Sequence, residues 1–162
     1  DPSWPGRFAA DAARIRAALG AQILAIEHVG STAVAGLLAK PVIDIAITVA
    51  SFEVAAACVT PMSALGYTYR GANGDDPRRR YFVLDANGRR DVQVHMYIVP
   101  APAFDAQLRF RDALRTDPLL LQAYAAEKRR IAAATQWDKT AYAIAKGPFI
   151  QGVLARLDGS AP

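Results

Sequence analysis

The sequence predicts an α+β fold in which a small mixed β-sheet is flanked by helices and the C-terminal half is helical. Three features carry that prediction. Two aliphatic, β-rich runs, residues 23–27 and 42–49, bracket a turn of small residues. Asn87-Gly88 joins two further strand-like runs, and both residues tolerate the positive φ of a tight hairpin. Beyond Pro100 and Pro102 every apolar stripe has helical spacing.

Taken in order, Phe8, Ala12, Ile15 and Leu19 fall at steps of four, three and four, which makes residues 7–19 an amphipathic helix ending at Gly20. Residues 23–27 form a strand, Gly30-Ser31-Thr32 a turn, and 42–49 a second strand broken in character only by Asp44 and Ala46. Phe52, Ala55, Val59, Met62 and Leu65 mark one helix stopped by Gly66. Residues 67–70 make a short strand, 71–77 a polar loop, and 81–84 with 91–99 the hairpin. Three helices follow. The first covers 104–115; the second starts at Asp117-Pro118, with Asp as cap and Pro at the first helical position. The third is capped by Asp138 and carries Tyr142, Ala145, Phe149, Val153 and Leu157 along one side. Trp4 and Trp137 read as core or edge packing.

The 162 residues suit one domain, 1–162. With 52% hydrophobic and 21% charged residues, disordered and fibrous classes are excluded. No apolar run approaches the roughly 18 residues of a membrane span, and Asp1, Pro2 and Trp4 do not begin a secretory leader. The expectation is a cytoplasmic protein with no membrane partner, and a start at Asp1 without methionine implies a trimmed N-terminal element. The single cysteine, Cys58, excludes an internal disulfide and reads as a buried bystander thiol. The net charge of +4 is concentrated in blocks: Arg78-Arg79-Arg80, Arg89-Arg90 and Lys128-Arg129-Arg130. Few aromatics suited to stacking bases are interleaved with them, so the expected partner is a phosphate-bearing small molecule rather than nucleic acid; a solvated face explains the same blocks.

The chemistry concentrates in residues 27–45. Gly30 permits close approach of a ligand to the backbone, and Ser31 with neighbouring N–H groups can hold phosphate oxygens. Thirteen residues after Ser31, Asp44 stands alone in a buried aliphatic strand, which is costly unless it binds a cation or accepts hydrogen bonds. Lys40 can meet a phosphate or pair with Asp44.

Gly30-Ser31 followed by Asp44 on a strand resembles the signature of the nucleotidyltransferase superfold. More widely, Glu27-His28-Val29-Gly30-Ser31-Thr32-Ala33-Val34, with Gly36-Leu37, Ala39-Lys40-Pro41 and Ile43-Asp44-Ile45, resembles the hallmark of the GrpB-like (UPF0157) family. Asp1-Pro2-Ser3-Trp4-Pro5, Arg80-Tyr81-Phe82, Val94-His95-Met96-Tyr97, the run from Phe110 to Arg115, Tyr124 with Lys128, and Tyr142 with Lys146 extend the likeness along the whole chain. The resemblance implies a nucleotidyltransferase-like fold, a Gly-Ser pair that grips a triphosphate, and acids spaced Asp-x-Asp or Asp-x-Glu that bind Mg²⁺ for in-line transfer. Related domains occur fused to dephospho-CoA kinase. The departures are Ala46, where the second acid would stand, and Gln93, where a His-x-His strand would begin.

The site implied is then Asp44 as metal ligand and catalytic acid residue with His95 as candidate base, and Gly30, Ser31, Thr32, Lys40, Arg80, Lys128 and Lys146 around phosphate. His28, Asp91, Gln93 and Tyr142 are further cleft candidates. By the strand period of two, Asp91, Gln93, His95 and Tyr97 share a face, and Asp91 offers a second carboxylate at its far end. Bland readings stand beside each: a buried structural acid for Asp44, a cap for Ser31, a satisfied strand end for His28, a core histidine for His95, a surface arginine for Arg80. Two functions remain open. One is metal-assisted transfer on a nucleotide or phosphorylated small molecule. The other is a non-catalytic ligand-binding or interaction domain whose metal site has degenerated at Ala46.

Overall fold

The computed structural model describes residues 1–72, 76–136 and 138–159. Part of the expected 71–77 loop and Trp137 therefore lie outside the described residues. The chain divides into two compact units, Asp1–Asp105 and Ala106–Pro162.

The first unit is built on a five-stranded sheet in the order β1-β2-β5-β4-β3, with β1 Ala25–Val29, β2 Ile43–Val49, β3 Thr68–Tyr69, β4 Arg79–Ala86 and β5 Arg89–Ile98. The pairs are antiparallel except β2 with β5, which run parallel. The sheet is mixed, as the sequence predicts. Alternation sorts β2 and β5 into two faces: Ile43, Ile45, Ile47 and Val49 join Val92, Val94, Met96 and Ile98 in one core cluster. Helix α1 (Trp4–Leu19) covers that face with Ala12, Ile15 and Leu19, and Trp4 is buried in the same cluster. Burying a side chain such as Ile15 or Leu19 contributes about 1.5–3 kcal/mol.

The helix expected to run from Phe52 is instead two, α2 (Phe52–Ala57) and α3 (Val59–Ala64). Pro61 explains the break, because it has no N–H for the Ala57 carbonyl and its ring crowds that oxygen. Cys58, at the junction, is buried; its thiol donates to Gln22 Oε1 at 3.2 Å, and burial raises its pKa.

Helix α4 (Pro102–Thr116) begins in the first unit. The second unit continues with α5 (Pro118–Ala134), α6 (Lys139–Ala145) and α7 (Gly147–Leu157). Asp117 accepts hydrogen bonds from the Leu119 and Leu120 N–H groups, and Asp138 accepts from Ala141, so both expected caps are present. The last expected helix is divided before Gly147-Pro148, where Pro148 cannot bond the Ile144 carbonyl. Inside this unit Tyr124 lies between Phe110, at 5.1 Å, and Phe149, at 5.3 Å.

Candidate functional site

The sheet face opposite α1 carries the polar residues. Glu27, Ala46, His95 and Tyr81 lie in register straight across four strands, with Asp44 beside Gln93 one step along. Asp44 sits where β2 begins. Its side chain is 26% exposed, and its Oδ1 is 3.8 Å from His95 Nε2.

Gly30 closes in on this carboxylate from the end of β1. Its φ is 71°, and a Cβ at that position would meet Asp44 Cβ and Cγ at 2.9 Å, with Oδ2 nearer still. Ser31 then opens a single 3₁₀ turn, Ser31–Ala33, where the sequence predicts a turn. The turn is latched from beneath. Thr32 Oγ1 donates to the Val42 carbonyl at 3.2 Å and accepts from His28 Nε2 at 3.0 Å. Thr32 and His28 are both buried, and His28 stacks on Phe8 of α1 at 4.7 Å. Thus Gly30, Ser31, Asp44, Gln93 and His95 are brought together, whereas His28 serves the opposite face and Thr32 spends its hydroxyl on the fold.

A second layer orients His95. Arg79 Nη2 contacts His95 Nδ1 directly. Guanidinium has only donors, so Nδ1 accepts and the ring proton sits on Nε2, facing Asp44. The Tyr81 ring stacks on His95 at 5.2 Å; its hydroxyl donates to Gln93 Oε1 at 2.6 Å and accepts from Arg90 Nη1 at 3.1 Å. Burial, chiefly, raises the Tyr81 pKa; Arg90 and Arg79 oppose that rise and Asp44 adds to it.

Other expected site residues fall elsewhere. Arg80 points to the helix face, with its guanidinium 5.5 Å from the Phe52 ring centre. The cause is a register shift between Leu84 and Asp85: Asp85 pairs with Arg90 but Leu84 pairs with Val92, so the ladder skips Asp91. Without the shift Arg80 would oppose His95; with it, Tyr81 does and Arg79 shares the face. Asp91 is bound to Arg7 of α1, so its carboxylate is engaged away from Asp44. Lys40 is exposed and makes no ion pair among the described residues, Asp44 included. In the second unit, Lys128 lies over the Tyr124 ring at 5.8 Å and Lys146 over Tyr142 at 4.8 Å, as their spacing of four predicts. Arg79, Tyr81, Glu27 and Arg90 are the participants that sequence reading leaves out of the site. The period of two would find the first two once the bulge is known.

The nucleotidyltransferase resemblance implies paired acids that bind Mg²⁺; Asp44 is the residue that would hold it, and Ala46 stands where the second acid would be. Ala46 is fully buried and has no ligand atom. Among the described residues no group of three or more His, Cys, Asp or Glu is placed to hold a metal.

Residues 1–156 match the family model described as GrpB protein. The chain belongs to the GrpB family. A UPF0157 protein of Pseudomonas aeruginosa is 38% identical over 160 residues, covering 96% of this chain and 64% of that protein, so the GrpB sequence here spans less than two thirds of that relative. The crystal structure of conserved protein GrpB from Enterococcus faecalis superposes with a TM-score of 0.81 at 30% identity, covering 93% and 90% of the two chains. A cytoplasmic RNA terminal U-transferase gives a TM-score of 0.52 at 17% identity over 82% of this chain and 42% of its own. The fold of this chain is therefore nucleotidyltransferase-like. No helix among the described residues is long and apolar enough to cross a membrane.

Proposed function

We propose that this domain is a non-catalytic ligand-binding module of nucleotidyltransferase-like fold, holding a nucleotide or phosphorylated small molecule over the Gly30–Ser31 turn and the Asp44–His95 face. The observation that carries this reading is Ala46. It lies between Glu27 and His95 in the register, on the face where transfer chemistry needs a second carboxylate beside Asp44. What remains is suited to recognition. The Asp44 carboxylate accepts a ligand hydroxyl or amine, the proton on His95 Nε2 donates, and the close backbone at Gly30 admits ligand oxygens beside Ser31. A buried, unactivated Cys58 thiol suits the reducing cytoplasm, which is the compartment proposed.

The test is thermal melting with ATP or CTP, each with and without Mg²⁺. The expected result is stabilisation by nucleotide that does not require the metal and is weakened by Asp44→Asn. Stabilisation that appears only with Mg²⁺ would instead support the transferase reading, with one cation on Asp44 completed by substrate oxygens. Ala46→Asp is expected to create Mg²⁺ affinity, since it restores the paired acid on the same face.

A further inference from the structure

We propose a second anion site, distinct from the Gly30–Asp44 face, in the groove at the β4–β5 hairpin end of the sheet, and that it takes the diphosphate group of a small molecule. The groove has a volume of about 440 Å³, and Arg7, Arg89, Arg90, Asn87, Pro41 and Asp91 are among its lining. That space suits a ligand of nucleotide size. Three guanidinium groups and one carboxylate line it, and Asp85 pairs with Arg90 from outside the lining, so one positive charge is left uncompensated.

The arginines differ in how they are held. Arg7 is braced by Asp91, and Arg90 by Asp85 at 2.6 Å and by the Tyr81 hydroxyl at 3.1 Å. Arg89, the exposed residue following the Asn87-Gly88 turn, makes no ion pair or side-chain hydrogen bond among the described residues. Two braced forks and one uncommitted fork around a concavity offer N–H donors to several oxygens of one anion, which matches a diphosphate better than a single carboxylate. The named lining offers no aromatic ring for base stacking, which argues against single-stranded nucleic acid. The groove also communicates with the other site. Arg90 bonds Tyr81, and Tyr81 stacks on His95, so an anion that draws on Arg90 is felt at the imidazole.

The experiment is a titration of the protein with pyrophosphate at low ionic strength, followed by calorimetry and by backbone amide NMR. Shifts are expected at the amides of residues 87–91. Arg89→Gln, a change at an exposed hairpin position, is expected to weaken about tenfold the binding that shifts the amides of residues 87–91. Inorganic phosphate is expected to bind at least about tenfold more weakly than pyrophosphate. The proposal is overturned by an absence of shifts at 87–91, by an Arg89→Gln protein that binds unchanged, or by equal affinity for phosphate and pyrophosphate. Because the amides of residues 87–91 report the groove and those of residues 30–32 and 44 report the other face, failure of the groove and failure of the Asp44 face are read separately.

Discussion

The Asp44 carboxylate fills the space that a side chain on Gly30 would need, so the turn after β1 and the acid on β2 fit only as a pair. Gly30→Ala adds a methyl group into Asp44 and forces alanine to a φ of 71° with ψ of −170°. The expected loss is about 3 kcal/mol or more in chemical denaturation. Adding Asp44→Gly should recover the part due to crowding but not the torsional part, leaving a measurable coupling between the two positions.

The latch beneath that turn makes its own prediction. Thr32→Val keeps the shape but leaves the His28 Nε2 proton and the Val42 carbonyl without their partner. A loss of about 1–3 kcal/mol is expected in urea unfolding, with little change in the far-UV circular dichroism of the folded protein.

At His95, nitrogen NMR is expected to find the proton on Nε2 in the unaltered protein. Arg79→Met should release Nδ1 and yield a mixture of tautomers. Arg80→Met, acting on the opposite face, should leave the His95 signals in place and cost less than about 1 kcal/mol from its contact with Phe52. A shift of His95 in the second variant but not the first would reverse the assignment of the two arginines.

The contrast between Arg79 and Arg80 also marks the limit of legibility in the sequence. The faces of β2 are legible, because seven residues alternate without interruption and Asp44 must turn away from Ile43 and Ile45. The Asn87-Gly88 turn is legible too. A hairpin extended evenly from that turn would set Arg80 opposite His95, and only the skipped residue at Asp91 changes the answer. A bulge depends on how two strands accommodate Arg7 and the sheet twist, and no local pattern announces it. His28 is similar: its partners Thr32, Phe8 and Val42 become neighbours only through packing. The divided helices at Cys58 and Lys146 were legible in principle, since Pro61 and Pro148 stand in plain view, but hydrophobic spacing runs smoothly across both.

Alkaline conditions should destabilise the protein through buried phenols. Tyr67 is 2% exposed, and burial, followed by the nearby Asp11 carboxylate, holds its hydroxyl well above the ordinary tyrosine pKa. The neutral form therefore favours folding: the contribution is complete below about pH 10, the unfolded value, and is lost as pH rises toward the folded one. Melting temperature measured between neutral pH and pH ~11 should fall steeply above pH ~10. Tyr67→Phe should fall less steeply, by up to about 1.4 kcal/mol per pH unit.

The parallel seam between β2 and β5 has a consequence for how the molecule assembles. Asp44 lies on one side of it and His95 on the other, and α2, α3, β3 and β4 intervene along the chain. Each antiparallel half can form its own ladder before the seam zips shut, yet neither half contains the dyad. A species with the seam parted would keep most of its backbone pairing and lose the proposed recognition surface, so deuterium uptake at the seam amides is expected to rise in step with loss of the proposed binding.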